Sequence, residues 1–298
     1  MSDLLQILRG TSTTVIVTFE VNGVGQNLDS GLPVVTLTKP DGTAGPAAGT
    51  ITSLGAGAYS FVIAAQAEVT WLDYTAVGTV GGQPQTLRGR VEWLGATLFT
   101  IGELRGLRLG DSTPFSTTAV PLFTDAQLHD TRTAILDEFE AILGFSPVPR
   151  FRREVFDGDG DVCLSLPGLK AHRVLSVSIN GVAQTATNYQ VGKGNQLEAV
   201  SNYSYGPAFT RGRRNIIVEW VAGWERVEGI GRHAAMVMAA NELIPDGLSN
   251  AGSVTTPDGV SYVYEPSEVG RSGFQRHTGN RQLDRWLNRH SQAGHAIA

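Results

Sequence analysis

Three aspartates alternate with glycine between Asp157 and Asp161, and this run comes closer to a metal site than any other stretch of the chain. Carboxylates at positions 1, 3 and 5 are typical of an EF-hand calcium loop, which also needs a bidentate glutamate at position 12. The twelfth residue here is Gly168. Because Asp-Gly is ordinary turn chemistry, we interpret the run as an acidic turn between two strands.

Catalytic patterns are weak elsewhere in the chain. Glu138 and Glu219 are a carboxylate pair that a glycosidase mechanism would need, but the first lies in a helical pattern and the second in a strand pattern. The histidines lack zinc-site spacing, and His233 falls on the apolar side of a helix, which favours a core position. Cys163 lies in the strand pattern "VCLSL", which predicts a buried, inert thiol. The sequence therefore predicts no catalytic residue, no metal, no cofactor and no enzyme.

Composition narrows the class of protein. The chain has 298 residues, a net charge of −5, 41% hydrophobic residues and 17% charged residues, which argues against a disordered tail and against a strongly basic nucleic-acid binder. No apolar run approaches the roughly 18–20 residues that span a bilayer. The N-terminus lacks the features of a secretory signal, so we expect synthesis in a cytoplasm and no membrane partner.

Residues 1–95 have the pattern of an all-β domain. Val15, Val17 and Phe19 alternate with Thr14, Thr18 and Glu20. Asn22-Gly23 follows as a typical hairpin turn. About seven short strands at this spacing predict a two-sheet sandwich. The stretches "GAYSFVIAA" and "VTWLDYTAVGTV" resemble Ig-like modules.

Three aromatic residues of this domain, Trp71, Tyr74 and Trp93, leave a second function open. Exposed aromatic rings would favour a carbohydrate-binding or cell-surface-binding module. The competing interpretation is that all three rings lie in the core of the sandwich.

The rest of the chain changes to a helical period. Residues 96–120 are predicted as a linker, with a short helix near 101–107. A helix is predicted over 124–143, where Thr124 and Gln127 form a capping box and Gly144 ends the helix. Strands follow over about 150–222, with a hairpin at Asn180-Gly181. Further helices are expected at about 230–243 and 280–290, separated by a long polar loop over 245–279. The fold class is therefore α+β, with a helical domain over 121–298 that holds a small inserted sheet.

The C-terminal helix is basic and carries a candidate interface. Its predicted apolar stripe consists of Leu283, Trp286 and Leu287. Arginine and tryptophan are enriched at interface hot spots, so we select Arg281, Arg285, Trp286 and Arg289 as a binding surface. A solvated helix face, with Trp286 covering the domain core, is the competing interpretation.

The order of these elements resembles the head-to-tail adaptor family of long-tailed bacteriophages. The resemblance covers residues 123–290. It is carried, in order, by "FTDAQLHDTRTAILDEFEAILG", "PRFRREVFDGDGDVCLSLPG", "LKAHRVLSVSINGV", "TNYQV", "NIIVEWVAGW", the helix that ends at "NELIP" and "GNRQLDRWLNRH". The strand that ends near Trp220 runs through Gly223 into the next helix, as it does in that family.

The resemblance implies a structural protein of the virion neck. It implies a homo-oligomeric ring of about twelve copies, bound to the portal protein on one side and to the stopper or tail proteins on the other. Double-stranded DNA would pass through the ring without sequence-specific contact during packaging and ejection. The basic C-terminal segment would contact the portal. A phage-encoded hydrolase is a third, weaker interpretation.

Overall fold

The computed structural model describes residues 3–107, 122–167, 171–200, 209–243, 254–255, 261–262 and 281–291. The chain is a mixture of strands and helices, and its contacts divide it into two compact units. The first unit comprises residues 1–96, 149–165 and 171–221, and the second comprises residues 97–148, 166–170 and 222–298. Most of the predicted loop over 245–279, and residues 108–120 of the predicted linker, lie outside the described residues.

The N-terminal part of the first unit contains nine strands. They are β1 (Asp3–Leu8), β2 (Thr13–Thr18), β3 (Glu20–Val21), β4 (Val24–Gly25), β5 (Val34–Thr38), β6 (Ile51–Gly55), β7 (Ala58–Ile63), β8 (Thr70–Val80) and β9 (Gln83–Leu94). One sheet has the order β1-β9-β8-β5, and a second has the order β2-β7-β6. The β1–β9 pair is parallel, and the other neighbouring strands in these two sheets are antiparallel.

The two sheets share one apolar core. Val15 and Val17 from β2 are buried in the same cluster as Tyr74 from β8 and Trp93 from β9. The alternation predicted for β2 is confirmed, because its intervening residues Thr14 and Ile16 are exposed. A period of two places alternate side chains on opposite faces of a strand, and the resulting arrangement is a β-sandwich.

The strands that follow the long helix form two further sheets. They are β10 (Arg150–Gly158), β11 (Cys163–Ser165), β12 (Ala171–Ile179), β13 (Val182–Gln184), β14 (Tyr189–Val191), β15 (Gln196–Ala199) and β16 (Gly212–Ala222), in the orders β10-β16-β12-β13 and β11-β15-β14. The predicted hairpin at Asn180-Gly181 joins β12 to β13, and both turn residues have positive φ, 53° and 77°. Asn and Gly are the residues that tolerate this left-handed conformation best.

The strand β10 belongs to the first unit together with the sandwich. The Gly95 N–H donates to the Pro149 carbonyl at 2.9 Å. A Cβ atom at position 95 would lie 2.6 Å from the Pro149 Cβ, so only glycine allows this approach. The next residue, Arg150, donates to the buried carboxylate of Glu92 on β9 at 2.8 Å. The sequence pattern did not indicate that these strands pack with the N-terminal sheets.

Among its described residues, the second unit has four helices that pack on one another. They are α1 (Ile101–Arg105), α2 (Asp125–Leu143), α3 (Gly229–Leu243) and α4 (Arg281–His290). Two short paired strands, β17 (Val254–Thr255) and β18 (Ser261–Tyr262), fall in the same unit. Thr124 caps α2 through a complete capping box with Gln127, and Gly144 ends it in the left-handed conformation with φ 75°. These local features match the expectations from the sequence.

The stretch 97–107 of the predicted linker contains the short helix expected near 101–107, and Leu98, Phe99 and Leu104 are among the most buried side chains of the unit. One expectation about burial in this unit is wrong. His233 was expected in the core and is exposed. The helix α3 instead buries Ala234, Ala235, Val237, Met238, Ala239 and Ala240. Four of these six buried residues are alanines, so α3 packs mainly through small side chains.

Candidate functional site

The helix α4 carries the predicted interface and has two chemically different sides. Leu283, Trp286 and Leu287 are buried against the second unit. Arg285 and Arg289 are exposed. Arg281 begins the helix, and its side chain lies outside the described part of the chain. Three of the four selected residues thus have a described side chain: Trp286 is a packing residue, and Arg285 and Arg289 are exposed.

The Trp286 ring lies in an aromatic group that closes the second unit. Its centroid is 5.7 Å from the Trp224 ring and 4.6 Å from the His290 ring. The Trp224 ring in turn meets Phe145 edge to face at 5.0 Å. The indole Nε1–H donates to the Glu228 carboxylate at 2.8 Å. Both the ring and its single polar group are thus used within the unit, which matches the competing interpretation of Trp286 as a core residue.

Close packing of α3 against α4 depends on a glycine. A Cβ atom at Gly231 would lie 2.4 Å from the Cη2 atom of Trp286. Gly231 is buried and has an ordinary helical conformation, so the requirement is steric and not conformational. The absence of a side chain at this position lets the two helices approach and fixes the place of the Trp286 ring.

Two ion pairs join the helices of the second unit. Arg105 donates to Asp125 at 2.7 Å, and Arg232 pairs with Glu103. Partial burial alone would raise the pKa of Glu103, but hydrogen bonds from the Thr100 N–H and hydroxyl and from Arg232 outweigh it and lower that pKa. These contacts connect α1 to α2 and to α3, so residues 100–105 are held in place by polar bonds as well as by burial.

A second polar contact lies on α2. The Arg132 Nη2 atom is 3.0 Å from Nδ1 of His129, one turn earlier. Burial, and then the neighbouring Arg132 charge, lower the pKa of His129, and burial lowers the pKa of Arg132. The imidazole is therefore neutral at pH 7 and accepts the hydrogen bond through Nδ1, since a protonated ring has no acceptor.

Of the two carboxylates considered for catalysis, Glu219 makes structural contacts within the first unit. Glu219 on β16 accepts from Arg153 Nε at 3.1 Å and from the Ser176 hydroxyl at 2.7 Å. Glu138 is an exposed residue of α2 in the second unit.

The acidic run after β10 forms a turn. Asp159 Oδ1 accepts the Asp161 N–H at 2.9 Å, and Asp157 Oδ1 accepts the Arg214 N–H at 2.5 Å. Within the described residues, no group of three or more His, Cys, Asp or Glu side chains could hold a metal ion. Cys163 is half-buried, so the expectation of a buried thiol is wrong.

The aromatic residues of the sandwich occupy two kinds of position. Tyr74 and Trp93 are core residues, and the Trp93 indole donates to the Thr11 carbonyl at 2.9 Å. Trp71 is half-buried, and the Arg90 guanidinium carbon lies 3.8 Å from the centroid of its ring. Arg90 also makes a bidentate pair with Asp73. An arginine thus covers one face of the Trp71 ring.

No helix in the described ranges combines the length and the apolar character needed to cross a bilayer.

Comparison with known proteins gives no family. No protein-family model and no curated protein matches the chain. Among solved structures, the chain is similar to one from the neck of an empty gene transfer agent (GTA) particle computed with C6 symmetry, at 19% identity over 55% of this chain and 85% of that one, with a TM-score of 0.38. It is also similar to a chain of the virion of the native GTA particle, at 20% identity over 54% and 84%, with a TM-score of 0.38. A titin fragment, A168169, is 12% identical over 73% and 91%, with a TM-score of 0.23. Scores this low do not establish a shared fold.

Proposed function

We propose that this chain is a structural protein of the neck of a tailed phage-like particle. Copies form a closed ring between the portal and the stopper or tail, and the ring continues the DNA channel. The observation that carries the proposal is the order of elements over residues 122–291: a long capped helix, a set of strands, a second helix packed on the first, and a final basic helix that closes the same unit. This is the order on which the resemblance to head-to-tail adaptors rests.

The proposed role needs rigid surfaces and no chemical step. The carboxylates of Glu219, Glu103 and Glu92 accept hydrogen bonds from arginines, and the Trp286 indole binds Glu228. Side chains that are held in this way fix the shape of each unit. A ring subunit depends on such a fixed shape, because an error in the angle of one contact is repeated at every copy.

The portal contact is assigned to the exposed side of α4. Arg285 and Arg289 lie one turn apart on the side away from Leu287. An arginine presents a planar fork of donors that suits carboxylates at an interface. Trp286 acts in this scheme as the positioning residue that holds the helix, because its ring and its N–H are used inside the unit.

The proposed ring also implies contacts with neighbouring copies of the chain and with the DNA in its channel. Each copy needs two different complementary faces, because a cyclic ring of about twelve copies uses heterologous contacts. The net charge of −5 is compatible with a duplex that slides through without being gripped. The proposal places the chain in the virion, in the same kind of assembly as the GTA neck named above. The N-terminal sandwich is proposed as an Ig-like elaboration of the adaptor.

A charge-reversal experiment tests the portal contact. The double variant Arg285→Glu/Arg289→Glu changes two exposed side chains and leaves the buried stripe of α4 intact. We expect it to remain folded by circular dichroism and to lose co-sedimentation with assembled portal rings. Deletion of α4 is a poorer test, because it would also remove the buried Trp286 and Leu287.

The matched control is Arg213→Glu/Arg226→Glu. It makes the same change in net charge at two other exposed arginines. Its attachment to the portal should equal that of the wild type. Equal loss in both double variants would point to net charge alone and would remove the role of α4. Failure of the wild-type chain to form rings or to bind any portal, seen by negative-stain microscopy, would remove the proposed function.

The alternative of a carbohydrate-binding sandwich has less support. Two of its three candidate rings are in the core, and Arg90 covers the third. Glycan binding that disappears in Trp71→Ala would revive it.

A further inference from the structure

The three-stranded sheet of the sandwich ends in two open edges, β2 and β6. In an antiparallel sheet, every second residue of an edge strand turns its N–H and C=O groups away from its neighbour. Apart from their pairing with β7, no backbone hydrogen bond joins residues 13–18 or 51–54 to another described residue. Both edges therefore present free donors and acceptors that a further strand can use.

Neither edge carries the charges or prolines that normally prevent strand pairing. The sequences are TTVIVT for β2 and ITSLG for β6, and the one irregularity is a bulge near the end of β6, between Ser53 and Gly55. Other strands at sheet ends differ. The strand β10 contains five charged residues, β5 is bounded by Pro33 and Lys39, and β1 begins at Asp3. The strands β11, β13 and β14 have only three residues each.

Aliphatic side chains beside these edges are unusually accessible. Ile16 on β2 is 58% exposed, and Leu54 on β6 is 54% exposed. Val62, on the strand between them, is 39% exposed. No charged residue occurs in β2, β6 or β7. A soluble sheet face without any charge is typical of a surface that another protein covers.

We infer that β2 of one copy pairs with β6 of the next copy, so that this sheet continues from subunit to subunit. The two strands have six and five residues, and neither would bury a charge on pairing. The two edges are different surfaces, as a head-to-tail contact requires. The inference rests on the proposed function, because a contact between unlike edges ends only when a ring closes.

Disulfide trapping between copies tests this pairing directly. In a Cys163→Ser background, Thr14→Cys marks β2 and Thr52→Cys marks β6, both at exposed positions. Rings assembled on portal from an equal mixture of the two single variants should give covalent dimers after mild oxidation, and rings of the double variant should give a ladder of multimers. Dimers from Thr14→Cys alone would mean that like edges meet, and a cross-link to the portal would mean a different occupant. Either result overturns the inference.

Lysine substitutions beside the two edges are a second, independent test of the pairing between β2 and β6. Ile16→Lys and Leu54→Lys each place a charge beside one edge, and Val77→Lys places the same charge at a 40% exposed position on β8, inside the other sheet. The two edge variants should weaken ring assembly by about tenfold or more, whereas Val77→Lys should assemble normally. Circular dichroism checks that all three fold.

The two proposals fail in different ways. Rings that form on portal with all three lysine variants and without any disulfide would overturn the strand pairing and leave the neck function standing. A wild-type chain that forms no ring at all, with or without portal, would overturn both.

Discussion

The two units of this protein place their charges differently. In the first unit, Arg150 donates two hydrogen bonds to Glu92, at 2.8 and 2.7 Å, and the two side chains are only 13% and 5% exposed. Gln6 donates a third, weaker bond to the same carboxylate at 3.2 Å. In the second unit the Glu103–Arg232 pair is more accessible, with side chains 39% and 33% exposed.

This difference follows from the elements that meet in each unit. The strand β10 approaches β9 and brings Arg150 onto a covered sheet surface, where a charge must be paired. The helices of the second unit approach through alanines and Gly231 and close on aromatic rings. The first unit should therefore be most sensitive to the loss of a charged partner, and the second to changes in side-chain volume.

The largest effect is expected from Glu92→Leu. It removes the carboxylate that accepts from Arg150 and leaves the guanidinium at a buried position, which should cost about 3–5 kcal/mol. Urea unfolding followed by hydrogen exchange in β9 and β10 would measure it. The double variant Glu92→Leu/Arg150→Met should recover most of the loss, because apolar pairs replace buried ion pairs well. A double variant as unstable as the single one would contradict the role of the pair.

Truncation of Trp286 tests the second unit in the same way. Trp286→Ala should lower the free energy of unfolding by about 3 kcal/mol, since it opens a cavity among Trp224, His290 and α3. Trp286→Phe keeps most of the volume and loses the bond to Glu228, for a cost of about 1 kcal/mol. Protection from hydrogen exchange in α3 and α4 reports the effect. Equal losses for the two variants would show that the indole N–H matters more than the ring.

Addition of one methyl group at position 231 tests how sensitive the stability of the second unit is to side-chain volume. Gly231→Ala should destabilise the second unit by about 1–2 kcal/mol, because the overlap with Trp286 outweighs the gain in helix propensity. Gly229→Ala is the matched control, since a Cβ atom there meets nothing within 4 Å. Thermal unfolding of the two variants compares them directly. A stabilised Gly231→Ala would mean that α4 can shift at no cost.

The smallest effect is expected from the surface pair. Arg232→Met should cost about 0.5 kcal/mol or less at pH 7, because both side chains are well exposed. The pKa of Glu103 is lowered from 4.5 in the folded protein. The contribution of the pair is therefore present above the unfolded pKa and is lost as the pH falls through the lower folded pKa. Melting temperatures of variant and wild type should differ at pH 7 and converge as the pH falls through the lowered pKa of Glu103; a gap that does not shrink as the pH falls would contradict the assignment.

The sequence by itself determined the features whose partners lie within a few residues. Thr124 and Gln127 form their capping box, Gly144 takes φ 75°, and the turn at Asn180-Gly181 joins two strands. The alternation of buried and exposed residues in β2 and the buried apolar stripe of α4 were also predicted from the sequence. Each of these features depends on local backbone geometry or on the hydrophobic period of one element. The order of residues along the chain specifies both the local geometry and the period.

Only the tertiary structure decided which element covers each buried face. Glu92 and Arg150 are 58 residues apart in sequence, and so are Glu228 and Trp286. Leu98 and Phe99 are buried although their stretch has no periodicity, and the strands after α2 pack in the unit of the N-terminal sandwich. A hydrophobic period tells which side of a strand or helix avoids water, but it carries no information about the identity of the neighbour. The separation of Trp286 from Arg285 and Arg289, and the open edges of β2 and β6, depend on those neighbours.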